Sequence, residues 1–145
     1  MRAYYLISNR IVFHPHMAIA DEHDQMLYLL TTDAMKHSWS LKTFDQGHTL
    51  FVFEHGFTQS SIKFTYKDHH YIVKKSAWNA HVIVSSDTDL THRYKYLNAM
   101  YKDYFYIDGI EKSYYDEDSS IIATHEEDTL FLLLIHLAVY IIMHR

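Results

Sequence analysis

Cysteine is absent from this chain of 145 residues, and proline and glycine are scarce, with one and three copies. The absence of cysteine excludes a disulfide framework and any zinc site built on thiolates. Because the three glycines are isolated, there is no glycine-rich phosphate loop and no Gly-x-Ser-x-Gly motif. Few tight turns can rely on glycine, so asparagine, aspartate and serine must serve in its place.

A secretory signal and glycosylation sites are also missing. The first apolar run, residues 3–7, is too short to form the core of a signal peptide. No Asn-x-Ser/Thr motif occurs. We therefore expect an intracellular protein, either cytoplasmic or on the cytoplasmic face of a membrane.

Tyrosine and histidine are abundant, with 13 copies each, and 48% of the residues are hydrophobic. This composition predicts one globular domain. The net charge of -5 is uneven, since residues 1–115 hold 12 basic and 12 acidic residues. The other six acids form an acidic collar of two triplets, Asp116-Glu117-Asp118 and Glu126-Glu127-Asp128.

Alternating and β-branched segments predict an antiparallel sheet. The N-terminal runs Tyr4–Ser8 and Arg10–His14 favour strands, whereas Met26–Leu30 is compatible with strand or helix. Across Thr49–Ser86, apolar and polar residues alternate over Ile62–Lys67, which is typical of half-buried strands. We expect a three- or four-stranded meander over about 49–86. Further along the chain, Asp108-Gly109 is predicted to form a turn, and Ile110–Tyr115 a last strand.

Two segments show the spacing of helices. Thr32 could cap a helix over Asp33–Phe44. A second helix is predicted to begin at Asp87 or Asp89, because five apolar residues recur at spacings of four and three. These residues are Leu90, Tyr94, Leu97, Tyr101 and Tyr104. The prediction is an α+β fold with two or three helices, in which one domain covers residues 1–125 and an apolar helix covers residues 126–145.

The C-terminal segment, about Thr129 to His144, is the clearest helix, because only His136 interrupts its apolar sequence over Leu130–Met143. Its 16 residues span about 24 Å at about 1.5 Å per residue, which is short of a hydrocarbon core of about 30 Å. A membrane anchor or a helix buried in an oligomer is favoured over a core helix, since it has no polar stripe. The residues expected to contact a membrane or protein partner are Leu130, Leu133, Leu134, His136, Leu137, Tyr140 and Ile141.

Histidines near the N-terminus form a candidate metal site. His14 and His16 would point to the same face of one strand, and Glu22 or Asp24 could be a third ligand for zinc or iron. The alternative is that these histidines are surface or half-buried residues of a histidine-rich chain. We favour this alternative and expect no cofactor.

Four lysines form a candidate anion-binding surface. Lys63, Lys67, Lys74 and Lys75 fall within 15 residues, and such a hairpin could contact nucleic acid phosphates or lipid headgroups. The alternative is an ordinary solvated sheet face, in which lysines protect an edge strand. The alternative is favoured, because nucleic-acid-binding domains usually have an excess of basic residues.

Two segments resemble one bacterial family. AYYLISNRIVFHP, residues 3–15, resembles the opening strands of membrane-anchored winged-helix transcription regulators of the cholera-toxin-regulator type. LTTDAMKHSWSLKTFDQG, residues 30–47, is similar to the segment in which that family's first helix begins. The resemblance implies a cytoplasmic DNA-binding domain that precedes one membrane helix.

Together, these patterns predict a non-enzymatic binding or regulatory module that its C-terminal helix tethers to a membrane or assembly. A homo-oligomer is expected. A DNA-binding regulator that uses the lysines is the first alternative. The second is a soluble metal-dependent enzyme built on His14 and His16.

Overall fold

The computed structural model describes residues 1–9, 16–33, 37–56, 60–76, 81–125 and 128–143. These residues contain twelve β-strands and one helix. The elements are β1 (Arg2–Asn9), β2 (His16–Ala20), β3 (Met26–Asp33), β4 (Ser38–Thr43), β5 (Thr49–His55), β6 (Ser61–Tyr66), β7 (His69–Lys75), β8 (Val82–Ser86), β9 (Tyr94–Asn98), β10 (Lys102–Ile107), β11 (Ile110–Asp116), β12 (Ile121–Thr124) and α1 (Thr129–Met143).

All twelve strands belong to one antiparallel sheet. Its order is β8-β7-β6-β5-β4-β3-β2-β1-β12-β11-β10-β9, so strands adjacent in the chain are adjacent in space. The first and last strands of the chain are also neighbours in the sheet, because β1 pairs with β12 and Tyr4 lies opposite Ile122. The edge strands β8 and β9 approach each other, and the sheet is therefore nearly closed around its interior.

Two hairpins have tight turns in which both central residues have positive φ angles. Lys67 and Asp68, at 48° and 66°, join β6 to β7, and Asp108 and Gly109, at 53° and 81°, join β10 to β11. Turns with this backbone match the right-handed twist of paired strands. The Asp-Gly turn was predicted, and it fixes the register of β10 against β11.

The core is the space inside the curled sheet, and α1 fills it. On β6, the side chains of Ile62, Phe64 and Tyr66 point inward and are buried, whereas Lys63 and Thr65 are exposed. The side chains of α1 are buried around the whole helix, and these residues are Phe131, Leu132, Leu133, Leu134, Ile135, His136, Leu137, Ala138, Val139, Ile141 and Ile142. A helix without a polar face is stable here because the sheet surrounds it.

The predicted α+β fold with two or three helices is wrong, since α1 is the single helix in the described residues. Residues Ser38–Thr43, placed in the first helix, form β4 between β3 and β5. The helix that the family resemblance implies from Leu30 is likewise absent from the described part, where β3 continues to Asp33. Tertiary pairing has overridden a weak helical pattern.

The helix predicted from Asp87 or Asp89 is also wrong, because this region forms β9 and β10. Its apolar stripe does not share one face, since Leu90 and Tyr101 are exposed, whereas Tyr94 points into the core. By contrast, the meander over 49–86 is present as β5 to β8, and Ile110–Tyr115 lies within β11.

The terminal helix was predicted correctly, but its expected setting was wrong. None of the described helices has the length and hydrophobicity needed to cross a membrane. The alternative that was disfavoured, a core helix, describes α1, because its own sheet provides the elements that bury it on every side. Three strands of that sheet, β4, β9 and β10, come from segments that were predicted as helices.

Candidate functional site

A pocket of about 450 Å³ lies at the N-terminal end of α1. It opens where the link between β8 and β9 passes the turn between β10 and β11. Its lining residues are Tyr66, Lys67, His69, Tyr71, Asp89, His92, Tyr94, Ile107, Asp108, Ile110, Lys112, Asp128, Phe131 and Leu132. The pocket therefore joins the aromatic end of the core to a charged rim.

Aromatic rings form the inner wall of the pocket. Phe131, in the first turn of α1, lies 4.8 Å from Tyr71, 5.7 Å from Tyr66 and 6.3 Å from Tyr94, measured between ring centroids. The three tyrosines occupy inward positions on β6, β7 and β9. Tilted rings at these distances attract each other. The wall is consequently held in place by its own packing.

One tyrosine–aspartate pair lies where the chain enters α1. The Tyr66 hydroxyl donates a hydrogen bond of 2.5 Å to Oδ1 of Asp128. The other carboxylate oxygen of Asp128 lies 3.6 Å from Nζ of Lys67. The same ammonium group lies 5.3 Å from the centre of the Tyr66 ring. One ammonium thus contacts both the carboxylate and the aromatic face of this pair.

A second tyrosine–aspartate pair lies across the pocket. The Tyr94 hydroxyl donates to Oδ2 of Asp89 at 3.0 Å, and the Tyr71 hydroxyl hydrogen-bonds to Tyr94. The other carboxylate oxygen of Asp89 accepts bonds from the hydroxyl of Thr91 at 2.6 Å and from its amide at 3.2 Å. The hydrogen bond from the Thr91 hydroxyl is the main cause that lowers the pKa of Asp89, which is therefore a carboxylate at neutral pH.

The phenols of the pocket are held in their protonated form. Burial, in the first place, raises the pKa of Tyr66, Tyr71 and Tyr94. The hydrogen bonds to Asp128 and Asp89 raise the pKa of Tyr66 and Tyr94 further. These tyrosines can donate hydrogen bonds at neutral pH, but they are poor nucleophiles and poor bases.

Charged side chains form the outer rim. Nδ1 of His92 lies 2.7 Å from Oδ2 of Asp108, and this hydrogen bond is the main cause that raises the pKa of His92. The lining also contains three aspartates and two lysines, Lys67 and Lys112. The raised pKa of His92 favours its cationic form, so acidic and basic groups nearly balance at the rim.

A second polar cluster is buried in the middle of α1. Nδ1 of His136 lies 3.0 Å from the Tyr96 hydroxyl, and Nε2 lies 2.8 Å from the hydroxyl of Ser113. The Tyr96 hydroxyl also donates to Oδ2 of Asp103 at 3.2 Å. Burial lowers the pKa of His136 to about 3 and raises that of Asp103 to about 6. His136 is consequently a neutral core residue with both ring nitrogens hydrogen-bonded.

The four candidate anion-binding lysines do not form one patch. Lys63 and Lys74 lie diagonally on the outer face of β6 and β7, and Lys63 is directly opposite Glu54 on β5. Lys67 lies in the turn at one end of this hairpin, where it contacts Asp128, and Lys75 ends β7 at the other.

The candidate metal ligands are not brought together in the described residues. His16 begins β2, and Glu22 lies beyond its other end, about 20 Å away at about 3.3 Å per residue. Glu22 accepts a hydrogen bond from the amide of Ala3. His14 lies outside the described residues. No group of three histidine or carboxylate side chains in the described ranges is arranged to hold a metal ion.

The α1 residues proposed to contact a membrane or partner point into the core instead. Most are buried, namely Leu133, Leu134, His136, Leu137 and Ile141. Leu130 and Tyr140 are partly buried against the same core.

Among the residues that line the pocket, the sequence singled out Lys67 as a candidate site residue, but it did not indicate the aspartates. Asp89 was expected only as the start of a helix, and Asp128 only as part of the acidic collar. The triplet at Asp116 lies in the β11–β12 region, away from the pocket lining. The available signal was the high tyrosine content of the strands, with Tyr66 and Tyr71 flanking a short hairpin turn.

Comparisons with family models, with characterised proteins and with solved structures give no match to this chain. The pocket itself is therefore the basis for inferring a function.

Proposed function

We propose that this chain is a non-enzymatic binding module, and that its ligand is a small amphipathic molecule bound in the pocket at the N-terminal end of α1. The single observation that supports the proposal is an aromatic-walled pocket of about 450 Å³ with polar groups at its rim. Ligand sites typically have volumes of about 300–1,000 Å³, apolar walls and a few convergent polar groups.

The ionisation of the pocket residues favours binding over catalysis. Tyr66 and Tyr94 are neutral, and each donates a hydrogen bond to a carboxylate. Asp89 accepts hydrogen bonds from hydroxyl and amide donors, and its pKa is lowered. A general base or nucleophile needs a pKa near the working pH. These residues are instead suited to hold a fixed wall.

A neutral aromatic probe, 2-phenylethanol, tests the proposal. Amide chemical shifts in a ¹H–¹⁵N spectrum should move for residues that line the pocket, such as Tyr94 and Phe131, as the probe is added. The variant Ile110→Trp should weaken binding at least threefold, because Ile110 lines the mouth and a larger side chain narrows it.

The matched control is Ile83→Trp on the outer face of β8. Ile83 and Ile110 have nearly equal exposed fractions, 55% and 58%, so the two substitutions perturb the surface to a similar degree. Ile83 should tolerate the change without loss of probe binding. If shifts occur all over the surface, or if both variants bind like the unaltered protein, the pocket is not the ligand site.

A further inference from the structure

Two tyrosine–aspartate pairs face the same pocket, and one of them already binds an ammonium group. Lys67 places its ammonium 3.6 Å from Asp128 and 5.3 Å from the centre of the Tyr66 ring. A carboxylate beside an aromatic face attracts a cation through both charge and the ring quadrupole. The protein's own lysine is thus a stand-in for an ammonium ligand.

The second pair, Tyr94 and Asp89, has the same chemistry but neutral partners. Its tyrosine hydroxyl donates to the carboxylate, as in the first pair, and the other donors to Asp89 come from Thr91. The His92 ring lies 6.2 Å from the Tyr94 ring, but His92 hydrogen-bonds to Asp108 and acts on Asp89 through charge alone. In the described residues, Asp89 therefore contributes a carboxylate to which no lysine, arginine or histidine side chain hydrogen-bonds.

The wall beside Asp89 is aromatic. Tyr94 lies 6.0 Å from Tyr71 and 6.3 Å from Phe131 between ring centroids. Ile107 and Leu132 complete the apolar surface of the pocket. A ligand that satisfies both features has a cationic nitrogen and an apolar body.

Building on the proposed binding function, we propose that the ligand is an organic ammonium compound. Its nitrogen binds Asp89 at the Tyr94 ring, as the Lys67 ammonium binds Asp128 at the Tyr66 ring. Its apolar body lies against Phe131. Organic anions of the same shape should bind more weakly, because the Asp89 carboxylate beside Tyr94 repels a negative charge.

Three probes that share one aromatic body test the charge preference. These are 2-phenylethylammonium, neutral 2-phenylethanol and anionic 3-phenylpropionate, each titrated into the full chain at pH 7 and low ionic strength. We expect the ammonium to bind about tenfold more tightly than the alcohol, and the anion to bind most weakly. Added salt should reduce the advantage of the ammonium. Equal affinity for the ammonium and the alcohol would overturn the inference.

The variant Asp89→Asn tests the residue. Asparagine keeps an oxygen that can accept from Thr91, and its amide nitrogen can donate to the Tyr94 hydroxyl in place of the bond that the carboxylate accepts. The wall is therefore retained and the charge is lost. Binding of the ammonium should fall about tenfold, whereas binding of the alcohol should not change. Asp45→Asn, which removes an exposed charge from the β4–β5 connection, is the matched control and should bind both probes like the unaltered protein. An ammonium affinity that Asp89→Asn leaves unchanged would refute the assignment.

Lys67→Ala provides an independent measurement. Removing the lysine frees Asp128, so the ammonium should bind at least as tightly as before. A loss of ammonium affinity in this variant would contradict the inference. If 2-phenylethanol binds in the pocket but the charge adds nothing, the cation preference fails and the binding function stands. If none of the three probes binds, both fail.

Discussion

Strand β9 presents two tyrosines on its inner face, two residues apart, and they have opposite settings. Tyr94 donates to Asp89 at 3.0 Å and lines the open pocket. Tyr96 donates to Asp103 at 3.2 Å and contacts His136 in the closed interior. The local chemistry, a phenol that donates to a carboxylate, is the same in both positions, and only the surroundings differ.

The difference lies in what surrounds each hydroxyl. The hydroxyl of Tyr96 lies against the middle of α1, where Ser113 and His136 satisfy the remaining polar atoms. The hydroxyl of Tyr94 lies beyond the first turn of the helix, where the pocket admits solvent. Among the described residues, no buried side-chain nitrogen or oxygen lacks a partner. The inner cluster, which consists of Tyr96, Asp103, Ser113 and His136, is therefore complete by itself. The outer cluster, which lies around Tyr94 and Asp89 at the rim of the pocket, has space for another molecule.

A polar cluster thus indicates a ligand site only where the fold leaves an opening beside it. His136 was conspicuous in the sequence because it interrupts an apolar helix, yet its contacts are those of a satisfied core histidine. Asp89 and Asp128 looked like ordinary surface acids, and they line the pocket. The comparison predicts that changes to the inner cluster mainly alter stability, and that changes to the outer cluster mainly alter binding.

The largest predicted difference in stability is between variants of two histidines, His136 in the inner cluster and His92 at the rim of the pocket. His136→Ala should lower the free energy of unfolding by about 3 kcal/mol, because it leaves a cavity and removes hydrogen-bond partners from Tyr96 and Ser113. His92→Ala should change it by less than about 0.5 kcal/mol, since the ion pair with Asp108 is exposed. Urea unfolding followed by circular dichroism measures both values.

The slope of the unfolding transition serves as the control for this pair, because an unchanged slope shows that both variants unfold from an equally compact state. Similar losses in the two variants would contradict the distinction between a closed and an open cluster.

Local signals made part of this fold predictable from the sequence. Alternation over Ile62–Lys67 predicted β6, and the Asp108-Gly109 pair predicted a turn. The long apolar run, interrupted only by His136, predicted α1 with bounds that agree closely with Thr129–Met143. Each of these features depends on residues that are near one another in the chain, so a pattern is enough to identify it.

The pocket was not predictable in this way, because its contacts join distant residues. Tyr66 and Asp128 are separated by 62 positions, and the strands that connect them were partly assigned to helices. The burial of α1 depends on the pairing of β1 with β12, which joins the N-terminal and C-terminal strands into one sheet. Without knowledge of that pairing, the sequence does not show which elements could bury an all-apolar helix. A membrane anchor is then the natural interpretation.

The tyrosine pair on β9 gives the second, intermediate effect. Tyr96→Phe should lower the free energy of unfolding by about 2 kcal/mol, because it leaves Nδ1 of buried His136 without its partner. Tyr94→Phe should cost less than about 1 kcal/mol, since Thr91 and water can satisfy Asp89. Thermal and urea unfolding of the two variants provide the measurement. A larger loss of stability for Tyr94→Phe than for Tyr96→Phe would contradict the assignment of Tyr96 to the closed cluster.

Acidification provides the third test, because the two ionisable groups of the inner cluster respond in opposite directions. The pKa of His136 is lowered to about 3, so its contribution to stability is full above the unfolded value of about 6.5 and is lost as the pH falls toward 3. The pKa of Asp103 is raised to about 6, so its contribution is full below the unfolded value of 3.8 and is lost as the pH rises through 6. Between about pH 6 and pH 4 the two effects oppose each other.

Asp103→Asn removes one side of this balance and keeps an oxygen that can accept the hydrogen bond from Tyr96. The variant should lose stability more steeply than the unaltered protein as the pH falls from 6 to 4. We expect the extra loss to stay below about 1 kcal/mol, because Asp103 is only half-buried and water screens its charge. The measurement is the free energy of unfolding at half-unit pH intervals, with Asp108→Asn as an exposed control. The pKa of Asp108 is lowered in the folded protein, so protonation of this carboxylate at low pH destabilises the folded state. The curve of stability against pH should therefore be flatter for Asp108→Asn than for the unaltered protein. Parallel curves for Asp103→Asn and the unaltered protein would show that the inner cluster does not take up a proton in this range.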